Sequence, residues 1–208
     1  MQCSWFMDLI NEINHLPKDV TALVNTRLKE FTNLGNATNL EWFSELCFCI
    51  LTANSKAATA LKIQEELNTC FHSASETKIK SCIIKHKHRF HNNKTKYILE
   101  ARKYKNIRDI ITKQENPREW LVNNIKGLGY KESSHFLRNV GYTNYSILDR
   151  HIINLMKEHN LIETEITLNK TVYLQIEKIF IKLANKLNVT PAKLDLLMWF
   201  LKTGKVLK

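Results

Sequence analysis

Residues 125–141 read IKGLGYKESSHFLRNVG, and the reading of the whole chain turns on this stretch. Gly127 and Gly129, one residue apart, separate two helical segments with too few residues for an ordinary loop. Glycine permits the tight backbone path, and amide N–H groups at the start of the next helix bind phosphate without competing side chains. A lone G-x-G marks a plain helix–helix turn just as well. Its neighbourhood is more specific. Lys131 stands two residues after Gly129, on the first turn of the following helix. Asp149 comes later, after the apolar run Tyr145-Ser146-Ile147-Leu148 and before a helix over Arg150–Glu158. It falls at the N-cap of that helix, which fixes a carboxylate's orientation. Taken singly, Lys131 is a surface lysine and Asp149 a helix cap.

Outward from this stretch the pattern is helical. Val20, Leu23, Val24, Leu28, Phe31 and Leu34 recur at helical spacing before Gly35, a stop signal. Thr38 and Glu41 form a capping-box pattern ahead of Trp42–Leu51, a segment apolar on nearly every side and so expected at the centre of a lobe. Asn116-Pro117 and Thr190-Pro191 each place a cap and a proline at a helix start, the second opening a final helix that ends near Gly204. Amphipathic stretches lie around Ala57–Leu67, Thr77–Ile84, Lys94–Tyr104 and Tyr173–Leu187. Alternating strand patterns, repeats and low-complexity tracts are absent, so the expected fold class is all-α.

Composition narrows the function. A chain of 208 residues with 44% hydrophobic content, five glycines and three prolines is long and apolar enough to bury a core. The five cysteines show no framework spacing, and Cys47 and Cys49 sit in an apolar run, which points to a reducing compartment. The N-terminal stretch carries acids among its apolar residues and does not read as a signal peptide. No stretch approaches the ~18 apolar residues of a membrane span. A soluble, intracellular protein is expected. Basic residues exceed acidic ones by eleven, and the excess is concentrated. From Lys78 to Arg108 there are eleven Lys/Arg and one acid, Glu100. Such a one-signed belt favours phosphate backbones through counterion release, against the blander reading of a solvated helix face.

The turn, lysine and aspartate together resemble the helix-hairpin-helix Gly/Pro-Asp DNA glycosylase superfamily, in particular its small, archaeal-like type-2 8-oxoguanine DNA glycosylase/AP lyases. The resemblance is carried by KGLGYKESSHFLRNVGY, ILDRHI, the C-terminal TGKVLK and the segment EWFSELCFCILTAN at Glu41–Asn54. The hairpin lacks the proline common in the wider superfamily. What the resemblance implies is a two-lobed helical protein with the hairpin at the junction and the active site in the cleft between the lobes. One lobe would span 36–130 and end in the hairpin; the other would combine 1–35 with 131–208 and carry the catalytic residues. The implied activity is excision of 8-oxoguanine from duplex DNA, followed by strand cleavage at the abasic site.

That chemistry suits these residue types. A carboxylate near the sugar C1′ stabilises the positive charge of an oxocarbenium-like transition state, and Asp149 is the candidate. A neutral amine, Lys131, then bonds C1′, and the resulting Schiff base permits β-elimination. A lysine at its ordinary pKa is almost wholly protonated at neutral pH, so the setting must favour the neutral amine. The target nucleotide must be flipped out of the stack to reach these groups.

Further assignments follow from the resemblance. Asn54 matches a position where a polar side chain enters the vacated stack; read alone, it is a helix C-cap. Phe90 and Trp199 match a base-stacking pair, or else are core aromatics. Lys208 matches a C-terminal lysine that distinguishes oxidised guanine from guanine, whereas a terminal lysine alone is a frayed end. Gly127, Gly129, Asn54 and Arg89 are the expected DNA contacts. His86, His88 and His91 lie among Lys87 and Arg89, so phosphate contact is expected there rather than a metal. No cysteine follows Cys82, which excludes the four-cysteine iron–sulfur cluster of related endonuclease III enzymes. No cofactor is expected beyond a monovalent cation on the hairpin carbonyls. The partner is duplex DNA, with no membrane; the protein is expected to be monomeric and to act at the nucleoid in the cytoplasm of a prokaryotic cell. Two rivals stay open: the same chemistry on another damaged base, and a non-catalytic DNA-holding module.

Overall fold

The computed structural model describes residues 2–208, with side chains from Met7 onward. Cys3, counted above among the reduced thiols, lies outside the described side chains. Among the described residues there are α-helices and short 3-10 turns and no strand. The chain divides into two compact units, residues 1–32 with 141–208, and residues 33–140. The unit that begins at Asn33 thus continues past the boundary expected at 130, to Val140.

Helices α1 (Gln2–Asn14) and α2 (Lys18–Gly35) open the chain. α3 (Asn39–Thr52) is the centre of the 33–140 unit, buried at every position from Trp42 to Thr52. It begins where the capping box requires. Thr38 accepts from the Glu41 N–H, and the Glu41 carboxylate accepts in return from the Thr38 N–H, at 2.9 Å. The Thr38 N–H and hydroxyl, both donating to it, hold the Glu41 carboxyl below its ordinary pKa. Around α3 pack α4 (Ala57–Leu67), a 3-10 turn at Asn68–His72, α6 (His91–Ala101), α7 (Ile107–Ile111) and α9 (Tyr130–Asn139), while α5 (Glu76–Lys85) packs on α4 and α6, and α8 (Pro117–Asn124) on α9.

α9 belongs to this unit because of what it packs against. Trp42 meets Phe136 edge-on at 5.8 Å, and Phe48 meets His135 at 5.6 Å. Asn139 Nδ2 donates to Glu45 Oε1 at 2.6 Å, and Gln64 donates to the other Glu45 oxygen at 3.0 Å. Arg138 in turn donates to Asn139 Oδ1. Buried polar groups that complete each other's bonds in this way fix the register of α9 on α3. The end of α9 is therefore docked on the centre of a core, and its first turn, which carries Lys131, projects from a rigid base.

In the other unit, α10 (Arg150–Glu158), α11 (Lys170–Lys186) and α1 pack on α12 (Pro191–Thr203). Thr190 accepts from the Lys193 N–H, Pro191 opens α12, and Gly204 closes it in the left-handed conformation at φ 67°. The stop is of the kind that favours glycine. No helix among the described residues is long and apolar enough to cross a membrane.

Candidate active site

The turn between α8 and α9 is as tight as its two glycines suggested. Leu128 N–H donates to the Ile125 carbonyl at 3.2 Å, and Gly127 sits at φ 90°. A Cβ at Gly127 would stand 2.6 Å from the Tyr97 ring, so both the backbone angle and the space demand glycine. Gly129 differs. It is the N-cap of α9 with an ordinary extended backbone, and a Cβ there would lie 3.4 Å from Glu132 Oε2. Lys131, second residue of α9, points its ammonium at Glu132 Oε1, 2.9 Å away, and keeps 31% of its side chain exposed. The other Glu132 oxygen accepts from the Gly129 N–H at 3.3 Å.

A second amine lies close by. Lys94 is only 4% exposed, and its Nζ donates to the Ile50 carbonyl at 2.6 Å. Burial pulls its pKa down to about 8; the Glu132 charge opposes that fall, and the Lys131 charge adds to it. Lys94, Lys131 and Glu132 form one interacting group in the 33–140 unit.

The basic segment from His86 into α6 is turned partly inward. α3 ends with unsatisfied carbonyls, as every helix does. Lys94 takes Ile50, His88 Nε2 bonds Leu51 O at 2.9 Å, and Arg89 donates to Asn54 O at 3.0 Å. His88 Nδ1 accepts from the Phe90 N–H, so its ring is the neutral tautomer with the proton on Nε2. Burial depresses its pKa in the same sense. The phosphate contact expected of His88 is thus corrected: the side chain is 2% exposed and spent on α3. His86 is likewise engaged, on Glu66 at 2.9 Å, together with Lys85 at 2.8 Å. These two bonds pull the Glu66 carboxyl down to about 2. Glu66, His86 and the Cys82 thiol, itself pushed up to about 11 chiefly by burial, are close enough to share an ion, but Lys85 already occupies the carboxylate. The basic belt is therefore not one uniform face. Lys78, Lys87, Arg89, Lys96, Lys103 and Lys105 remain exposed.

Asn54, Arg89 and Phe90 come together. Asn54 follows the last turn of α3 at φ 58°, the left-handed conformation of a helix stop, with its side chain exposed. The backbone fits the reading of a helix stop. Arg89 bonds its carbonyl while lying over the Phe90 ring at 4.4 Å. Phe90 is half-buried, not a core aromatic.

In the other unit, Asp149 caps α10 as expected, accepting from the Ile152 N–H at 2.9 Å. The strand-like approach to it is anchored by α11. Tyr173 donates its hydroxyl proton to Ser146 O at 2.7 Å and accepts from the Leu148 N–H at 3.3 Å, and Glu177 accepts from the Ser146 N–H at 3.1 Å. Trp199 on α12 is half-buried and meets His151 of α10 edge-on at 4.8 Å. Lys208 is partly buried, in the irregular segment after α12 that also holds the buried Val206. The residues nominated by sequence thus fall into two sets: Asn54, Arg89, Phe90, Gly127, Gly129 and Lys131 in one unit, Asp149, Trp199 and Lys208 in the other. Sequence reasoning missed Glu132, Lys94, Tyr173 and Glu177. Only Glu132 had a local signal, three residues after the cap position of its helix.

Comparison with known proteins gives the family. A family model described as 8-oxoguanine DNA glycosylase matches residues 24–189. The 8-oxoguanine DNA glycosylase/AP lyase of Methanocaldococcus jannaschii is 44% identical over 207 residues, covering 97% of this chain and all of the relative. The protein of the same name from Korarchaeum cryptofilum is 39% identical, with 97% of this chain and 98% of the relative covered. Among solved structures, the crystal structure of the M. jannaschii 8-oxoguanine DNA glycosylase matches with a TM-score of 0.93 at 43% identity, covering both chains completely. The same enzyme in complex with a 15mer DNA containing 8-oxoguanine matches with a TM-score of 0.92, covering 96% of this chain and 99% of the other. The chain belongs to the 8-oxoguanine DNA glycosylase family.

Proposed function

We propose that this protein is a bifunctional DNA repair enzyme, excising 8-oxoguanine from duplex DNA and cleaving the strand at the resulting abasic site. The observation that carries this reading is the position of Lys131. It is an accessible amine on the first turn after the Gly127–Gly129 hairpin, on a helix locked to the core by Phe136 and Asn139. A module that only held DNA would need the hairpin but not a fixed amine there.

In this reading the hairpin and the exposed Lys87, Lys96, Lys103 and Lys105 engage the phosphate backbone. The lesion nucleotide leaves the stack, Asn54 fills the gap, Phe90 and Trp199 are the rings available to stack on the flipped base, and Lys208 reads the oxidised face. Asp149 meets the positive charge that develops at C1′ as the bond to the base breaks. Lys131 forms the new bond to C1′, and the departing base takes up a proton. The iminium that follows from ring opening acidifies the adjacent C2′ proton, whose removal expels the 3′ phosphate. A monovalent cation on the hairpin would be held by main-chain carbonyls. Ile125 O spends one lone pair on Leu128 N–H and keeps another, a neutral hard donor of the type such an ion takes. It would supply positive charge for a backbone phosphate at the hairpin. The protein acts as a monomer on nucleoid DNA in the cytoplasm of a prokaryotic cell.

The test is product analysis on a duplex with a single 8-oxoguanine. Release of free 8-oxoguanine with a β-eliminated 3′ end is expected, at rates well above those for duplexes carrying an oxidised pyrimidine or a mismatch. Tight binding with no base release would leave a holding module, and faster release of another base would reassign the lesion.

A further inference from the structure

We propose that Glu132 is a positioning residue for Lys131, holding its amine at the hairpin in a charge group that the buried Lys94 completes. This rests on the reading of Lys131 as the nucleophile. Adjacent residues on a helix point about 100° apart and do not ordinarily meet. Here Lys131 and Glu132 nevertheless close to 2.9 Å, because both are on the first turn of α9, where Glu132 folds back to cap the Gly129 N–H. One carboxylate thus serves two tasks, one oxygen on each. A lysine stem has four rotatable bonds, and a nucleophile left to sample them is seldom aimed. Glu132 is 13% exposed against 31% for Lys131, so the anchor is the better buried of the two.

Lys94 makes the arrangement more than a tether. Its buried amine interacts with both charges, attracted by Glu132 and repelled by Lys131. Other charged groups on the elements packed against α9 are already engaged: Glu45 of α3 with Asn139 and Gln64, Arg118 of α8 with Ser134 and Tyr130, and Glu119 with the Tyr130 hydroxyl. They are unchanged in the variants below.

Glu132→Gln separates the two tasks, since an amide oxygen can still cap Gly129 while the charge beside Lys131 is gone. The experiment is borohydride trapping on an 8-oxoguanine duplex across pH, under single-turnover conditions, with melting curves and duplex affinity measured alongside. For Glu132→Gln the plateau rate should fall about tenfold through lost aim. Its acid limb should also move to lower pH as the negative charge beside the amine is lost. Glu132→Asp, which keeps the charge, should return the limb towards the wild-type position. Lys94→Met should move it to higher pH, and provides the test if Glu132→Gln does not fold. Wild-type trapping with neither the Glu132→Gln nor the Lys94→Met limb displaced would overturn the proposal and leave Glu132 a helix cap. Absence of any wild-type adduct would overturn the functional reading, and this one with it.

Discussion

Lys94 Nζ donates to the carbonyl of Ile50 at 2.6 Å, placing a lysine in the middle of a core where only 4% of it meets solvent. The bond satisfies a helix-end carbonyl that would otherwise be stranded, since α3 is buried to its last turn. The cost is a cation out of water, and the lysine's pKa of about 8 records it.

A pH signature follows. Between about 8 and the ordinary 10.5, an unfolded chain carries a proton at Lys94 that the folded chain has shed. Stability therefore gains with pH across this window, and the gain is absent below it. Melting curves for wild type and Lys94→Met at pH 7 and pH 9.5 should show the wild type improving relative to the variant at the higher pH. A constant difference between them would mean that Lys94 is not a depressed lysine.

The two hairpin glycines should respond differently to alanine. Gly127→Ala forces a side chain into a left-handed backbone and against Tyr97, a strain of about 1–3 kcal/mol. It should also lower duplex affinity by about tenfold as the turn distorts. Gly129→Ala enters ordinary space, and should cost less than about 1 kcal/mol and leave binding close to wild type. Melting and fluorescence-anisotropy titrations read both.

Asn54 separates conformation from side chain. Glycine is at ease at φ 58°, so Asn54→Gly should leave the melting temperature unchanged within a few degrees. If the side chain fills the vacated stack, excision from the 8-oxoguanine duplex should slow while cleavage of a preformed abasic site is less affected. Equal rates on both substrates would return Asn54 to the role of a helix stop alone.

Asp149 and its support should split in the same manner. Asparagine is as good an N-cap as aspartate, so Asp149→Asn should keep stability yet lose about a hundredfold or more in base excision as the charge at C1′ disappears. Tyr173→Phe leaves Ser146 O and Leu148 N without their partner, a loss of about 1–3 kcal/mol. It should slow excision less than Asp149→Asn does, because the carboxylate remains.

The parts of the site legible in sequence are those fixed by a few neighbouring residues. The Gly127–Gly129 turn, the place of Lys131 on the next helix and Asp149 as the cap of Arg150–Glu158 each depend on local backbone rules, and the structure has them there. What pattern could not supply depends on distant partners. That α9 goes with residues 33–140 is decided by Trp42 against Phe136 and Glu45 against Asn139, pairs far apart in the chain. The inward turn of Lys94 and His88 answers to carbonyls at the end of α3, and within their own segment they look like any other members of a basic belt. Charge counting treats every lysine as solvated, and here the end of α3 claims Lys94.

The central claim is a covalent bond between Lys131 and the lesion sugar. Borohydride trapping on a duplex with one 8-oxoguanine, comparing wild type with Lys131→Gln, tests it most directly. The account predicts a protein–DNA adduct from the wild type and none from the variant, with duplex binding retained in both. An adduct that persists in Lys131→Gln, or none from a wild type that binds tightly, would contradict it.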